Sequence, residues 1–143
     1  LKIVCANCEE QNNYEVEKEG YYSLSCSDCE ADFQVIIGIA RSKRSRGHKP
    51  SQSREYSIRF FQNGNDDFIQ FESNCYDDVE LKSKDIFVIS SFDGKPRILA
   101  NINIHKYWVI NTKPTEIDDA MVMTAIVLFI FIGLVIVAMI SAS

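Results

Sequence analysis

The chain has 143 residues, 46% of them hydrophobic, and a formal net charge of −5. That length leaves room for one or two small domains beside any membrane segment. The acidic balance argues against a general nucleic-acid binder, which normally shows a broad basic face.

Residues 1–40 carry two basic and eight acidic side chains. Leu1 to Ile3 runs straight into a cysteine and then acids, with no apolar core of a secretory leader. Cys5-Ala6-Asn7-Cys8 and Cys26-Ser27-Asp28-Cys29 form two C-x-x-C pairs separated by Glu9–Ser25. This is the spacing of a four-thiolate zinc site. Two residues between cysteines let a tight turn aim both sulfurs at one ion, and four sulfurs at about 2.3 Å close a tetrahedron with no open position. One structural Zn2+ on Cys5, Cys8, Cys26 and Cys29 is therefore expected. A rubredoxin-like iron site and a pair of disulfides use the same residues and remain alternatives. Tyr14 and Val16 precede the turn Lys18-Glu19-Gly20, Tyr22 and Leu24 follow it, and Phe33, Val35 and Ile37 alternate as a further strand. So few large apolar groups could hardly fold alone, so metal binding would supply much of the folding free energy.

With these residues in view, 1–40 resembles the small zinc ribbons at the N-termini of many prokaryotic proteins. The resemblance implies Cys5, Cys8, Cys26 and Cys29 as ligands and a rigid adaptor as the role, with no activity attached. Those ribbons often place Pro and Gly in the cysteine turns, where this chain has Ala6, Glu9, Ser27 and Glu30.

Residues 41–54 carry six basic side chains, no acid and no apolar residue, and contain Gly47 and Pro50. They read as a flexible basic linker. The sharper reading gives Arg41, Lys43, Arg44 and Arg46 contact with anionic lipid headgroups or an acidic partner.

From residue 55 to 111 the pattern turns to short strands. Tyr56-Ser57-Ile58-Arg59-Phe60 alternates, Asn63-Gly64-Asn65-Asp66 is a hairpin turn, and Phe68–Phe71 returns. Val79 and Leu81 read as a short strand, Lys82–Asp85 as a turn, and Ile86–Ile89 as a continuous apolar strand. Asp93-Gly94-Lys95-Pro96 turns again before Ile98–Ile104 and Tyr107–Ile110. Such spacing predicts a small barrel or sandwich, and Glu80–Ile89 is similar to the strand–turn–strand of SH3-like and OB-like barrels. Tyr107 and Trp108 are adjacent and so face opposite sides of a strand, leaving one as a candidate partner anchor. Cys75 reads as an ordinary free thiol, and Asp77, Asp78 and Glu80 lack a calcium-loop pattern.

Residues 112–119 form a short juxtamembrane segment, with Thr112 or Thr115 placed to cap a helix whose first turn holds Glu116, Asp118 and Asp119. Ala120–Ile140 is uncharged, with Thr124 as its one hydroxyl. At about 1.5 Å per residue such a run spans a bilayer core of roughly 30 Å. Lys106 and Lys113 on its N-terminal side favour that side as cytoplasmic, which makes the span a tail anchor. Gly133 has no glycine four residues away, so no G-x-x-x-G dimer face is indicated.

The fold expected is mainly β: a zinc ribbon (1–40), a small SH3-like barrel (55–111) and one C-terminal transmembrane helix (120–140). The sole histidines, His48 and His105, belong to no nucleophile–base motif. The expected function is that of a non-catalytic, membrane-anchored interaction protein, an accessory subunit or assembly factor of a larger membrane complex. The alternatives are a membrane-tethered regulator that contacts nucleic acid, and a thiol or zinc sensor.

Overall fold

The computed structural model describes residues 1–113 and 119–142. Its elements are β1 (Lys2–Val4), β2 (Gln11–Asn13), β3 (Gly20–Ser25), β4 (Asp32–His48), β5 (Ser53–Gln62), β6 (Asn65–Ser73), β7 (Ile86–Phe92), β8 (Lys95–Asn101), β9 (Lys106–Val109) and α1 (Asp119–Ser141). The chain divides into two units, Leu1–Thr112 and Lys113–Ser143. It is mainly β with one apolar C-terminal helix, as its patterning predicts.

Strand β4 is the spine of the first unit. Its N-terminal half pairs with β3 on one edge and β7 on the other. From Ile39 onward it pairs with β5, with a register shift between Ala40 and Ser42. Because Ile39 pairs with both Phe61 and Ile86, β3 and β5 lie end to end along one edge of β4, opposite β7. Tyr21 on β3 donates to Asp67 Oδ2 on β6 at 2.7 Å, which ties these ends together. The bulge bends β4 and lets one strand serve two differently directed sheet segments.

Two cores form on the two faces of this sheet. One gathers Ala40, Tyr56, Ile58, Phe60, Val79, Leu81, Phe87, Ile89, Leu99 and Ile110. The other gathers Ile3, Cys5, Ala6, Cys26, Phe33, Val35, Ile37 and Val88. A strand buried on both faces needs apolar residues at consecutive positions. This explains the unbroken run in β7, where Phe87 and Ile89 serve the first core and Val88 the second. The turns follow their residue types: Asn63-Gly64 (φ 46° and 80°) and Asp93-Gly94 (φ 53° and 74°) both have the paired positive φ of a two-residue type I′ hairpin.

Some sequence expectations change. The hairpin partner of β3 is β4, across the second cysteine pair, while β2 pairs with β1 across the first. Tyr14 and Val16 lie outside any strand, yet both pack against the second core. Val79 and Leu81 are also outside the strands, and their side chains are buried in the first core from a loop.

The largest correction concerns 41–54. It is no flexible linker: Arg41–His48 completes β4, a turn follows, and Ser53 and Arg54 open β5. Strand alternation sorts its charges. Lys43 turns toward the loop that follows β6, where its Nζ donates to the Val79 carbonyl and meets Asp78 at 3.0 Å. Arg54 lies over the Tyr76 ring, its Nε donating to the Tyr76 carbonyl at 2.7 Å and its Nη1 to Ser45 Oγ at 3.0 Å. Burial pushes the Asp78 carboxyl up, but hydrogen bonds from Lys43 and Ser45 and the charges of Lys43 and Arg54 outweigh it and hold the group below its ordinary range. Polar residues that looked solvated are thus paired with a loop 22 to 36 positions away. Asp78→Asn should destabilise the unit by about 1–2 kcal/mol in urea titrations at neutral pH. That figure is held down because the Asp78 side chain is 41% exposed.

The second unit contains α1, of which Met123–Ser141 is long and apolar enough to cross a membrane, with a mean hydropathy of 3.0. The capping residue Thr115 and the acids Glu116 and Asp118 lie outside the described residues.

Candidate metal centre

Each cysteine pair sits in the bend between two antiparallel strands. Cys5–Cys8 follows β1 and precedes β2, and Cys26–Cys29 follows β3 and precedes β4. The two bends repeat one set of backbone bonds. Glu9 N–H donates to the Cys5 carbonyl and Cys5 N–H to the Glu10 carbonyl, at 3.0 and 2.9 Å. Glu30 N–H donates to the Cys26 carbonyl and Cys26 N–H to the Ala31 carbonyl, at 2.9 and 3.0 Å. Glu9 and Glu30 take φ of 66° and 61°, the left-handed position that glycine fills most easily. The departure noted in the sequence is therefore absorbed as backbone strain of about 1 kcal/mol at each site, with the turn geometry intact.

The four sulfurs come within 4.8 Å of one another. Cys5 and Cys29 are 3.8 Å apart, and Cys8 and Cys26 3.6 Å. A tetrahedron of thiolates around a metal at about 2.3 Å has edges of about 3.8 Å. The donor set fits one tetrahedral soft-metal ion, and all four cysteines are free of disulfides. Asn7 N–H points at Cys5 Sγ at 3.3 Å, Asn7 Nδ2 at Cys29 Sγ at 3.5 Å, and Asn12 Nδ2 at Cys26 Sγ at 3.8 Å. Such donors stabilise sulfur as thiolate. The Cys29 thiol is held down to about 6, first by the Ala31 amide and then by Asn7. Burial, reinforced by the neighbouring sulfurs, pushes Cys8 up to about 12.

Beyond the shared core, one buried arginine adds a polar link between this centre and the rest of the unit, and the sequence did not mark it. Arg97 on β8 is 5% exposed. Its Nη1 donates to the carbonyl of Ala6 and, at 3.4 Å, to that of Asn7. Its Nη2 meets Glu9 Oε1 at 3.3 Å, and its Nε donates to the Asn111 carbonyl at 3.1 Å. A guanidinium buried with one partly exposed carboxylate needs its remaining donors filled, and here the backbone of the first cysteine turn fills them. Asn111 was likewise unmarked. Its Nδ2 donates to the carbonyls of Glu72 and Pro96 at 2.9 and 2.8 Å, and its Oδ1 accepts from the Asn74 amide at 3.0 Å. These bonds join the end of β6 to the residues that follow β9, although the two edge strands share no ladder.

The remaining candidate residues are dispersed. Tyr107 is 46% exposed and lines a groove with Leu1, Lys2, Val4 and Ile102. Trp108 is half-buried against the first core, with Lys106 Nζ 5.2 Å from its ring centroid. The four basic candidates form no common patch. Lys43 is paired inward, and Arg41 meets Asp66 at 3.3 Å. Arg44 and Arg46 stand exposed on the outer face of β4, where Arg46 lies opposite Glu55. Cys75 donates to the Val109 carbonyl at 3.3 Å, and burial, with Asp77 nearby, raises its thiol.

The fold and site together define a mainly β chain with a closed cluster of four thiols and one C-terminal helix apolar enough for a bilayer. Compared with protein-family models, with curated proteins and with solved structures, the chain matches none.

Proposed function

We propose that this is a single-span membrane protein whose N-terminal unit binds one structural Zn2+ through Cys5, Cys8, Cys26 and Cys29. That unit serves as a docking head, without catalysis, for a larger membrane protein complex. In this reading 1–40 is a zinc ribbon, the curved sheet that follows is an SH3-like barrel, and both lie on the cytoplasmic side of the span. The observation that supports it is the gathering of four sulfurs within 4.8 Å of one another: as thiolates they would fill every position of a zinc ion, so that the metal shapes the fold and offers no place to a substrate. The exposed Tyr107 ring, beside the half-buried Trp108, is the proposed contact for the partner.

The test is extraction of the full chain from its native membrane in a mild detergent. Zinc is quantified by mass spectrometry and particle mass by native electrophoresis. One zinc per chain, together with migration well above the mass of the chain and detergent, is expected. Metal-free protein would remove the zinc assignment, and a chain that migrates alone would remove the docking role. A zinc stoichiometry unchanged by mild peroxide further separates this role from that of a thiol sensor.

A further inference from the structure

We propose that zinc occupancy of the cysteine cluster is transmitted through Arg97 to Asn111, so that the metal controls the bonds that join the end of β6 to the residues following β9. This rests on the zinc reading above.

Arg97 is bonded at both ends. On one side its guanidinium holds the Ala6 and Asn7 carbonyls and the Glu9 carboxylate, all within the turn that carries Cys5 and Cys8. On the other, its Nε holds the Asn111 carbonyl, and its own carbonyl accepts the Ile110 and Asn111 amides at 2.8 and 3.3 Å. From there the bonds run on without a gap. Asn111 reaches Glu72, Pro96 and Asn74. Asn74 in turn accepts the Thr112 amide at 3.1 Å, and Ser73 Oγ donates to the Ile110 carbonyl. Thr112 ends the first unit.

Two backbone bonds brace the cysteine turn, and in this proposal the ion, by tying Cys5 and Cys8, completes its hold. Loss of the ion then loosens the positions of the Ala6 and Asn7 carbonyls. A buried guanidinium cannot stay unpaired, because an uncompensated charge at 5% exposure is strongly unfavourable. It must then follow the loosened turn or draw water in, and either movement releases the Asn111 carbonyl. Zinc binding and the bonds at Asn111 therefore favour each other, and the coupling must be reciprocal. A change at Asn111, which touches no cysteine, should weaken zinc binding.

The experiment uses the full chain in detergent micelles, with zinc as the probe. Chelator competition gives zinc affinity, and hydrogen exchange reports the amides of Asn74, Ile110, Asn111 and Thr112. Chelation should speed exchange at these four amides at least tenfold. Asn111→Ala should weaken zinc binding about five- to tenfold, and that penalty should disappear when Asn111→Ala is made in an Arg97→Met background. Arg97→Lys, which keeps charge but not the forked geometry, should retain only part of the coupling. Ile69→Val, a core change away from this path, sets the effect that lost stability alone has on zinc affinity, and Asn111→Ala should exceed it at an equal loss of stability. If Arg97→Met does not fold, the effect of Asn111→Ala on zinc affinity decides alone. Normal zinc binding with affinity indifferent to Asn111→Ala would overturn the coupling and leave the metal assignment intact. Wild-type protein that binds no zinc would overturn both.

Discussion

Cys26→Ser is expected to abolish cooperative folding of the whole Leu1–Thr112 unit, not only of its first forty residues. Cys26 is 3% exposed and sits in the core shared by Phe33, Val35 and Val88. Structural zinc sites contribute on the order of 10–16 kcal/mol, as large as the whole stability of a typical domain at about 5–15 kcal/mol. Serine is a poor replacement for thiolate, so most of that contribution is lost. The damage should spread because β4 and β7 each face both cores: Val35 and Val88 look toward the cysteines, while Phe87 and Ile89 pack with Tyr56 and Phe60. Near-ultraviolet dichroism of Trp108 should collapse, and the amides of Ile58 and Leu99, remote from the sulfurs, should lose exchange protection. Retained protection at Ile58 and Leu99 would show instead that the curved half folds independently. Cys75→Ser is the internal control. Its thiol makes a single donor contact to Val109 and a longer one to Asn74, so its replacement should alter stability by less than about 1 kcal/mol.

The parts of this molecule that were legible in its sequence are those whose chemistry is local. Two residues between cysteines suffice to aim two sulfurs at one point, so the cluster could be read from spacing. Asn63-Gly64 and Asp93-Gly94 announce their turns because few other pairs tolerate two positive φ values in succession. A long uncharged run such as Ala120–Ile140 has few stable alternatives to a helix. What escaped was set by partners distant in the chain. Residues 41–54 looked like a solvated linker because nothing nearby could pair with Lys43 and Arg54, whose partners Asp78, Val79 and Tyr76 arrive from the loop after β6. The proposed boundary at residue 40 falls inside β4, for the same reason. Arg97 follows the Asp93–Pro96 turn, and nothing near it in the sequence marks it. Only the packing of the first cysteine turn against β8 makes it a buried link, with partners about ninety positions away.

Gly38→Val should be strongly damaging, costing about 3 kcal/mol, with Gly38→Ala at about 1–2 kcal/mol. Gly38 lies in β4 directly opposite Phe87 of β7, beside the bulge that redirects the strand. A Cβ at this position would stand 2.6 Å from Phe60 Cδ2 and 3.1 Å from Phe87 Cε1. Neither ring can give way easily. Both are fully buried, and they hold each other edge to face, with centroids 5.3 Å apart and planes at 89°. Alanine regains part of the loss, about 0.4–1 kcal/mol, by reducing the freedom of the unfolded chain. Valine adds two methyl groups to the same clash and enlarges the loss. The glycine is therefore required here by space, and no positive φ is involved. Urea midpoints of the two variants measure the effect, and the double variant Gly38→Ala with Phe60→Leu distinguishes its cause. If crowding against the ring is responsible, the paired change should destabilise by clearly less than the sum of the two single changes. Strict additivity would mean that the cost arises in the strand itself, not from the meeting of Gly38 with Phe60.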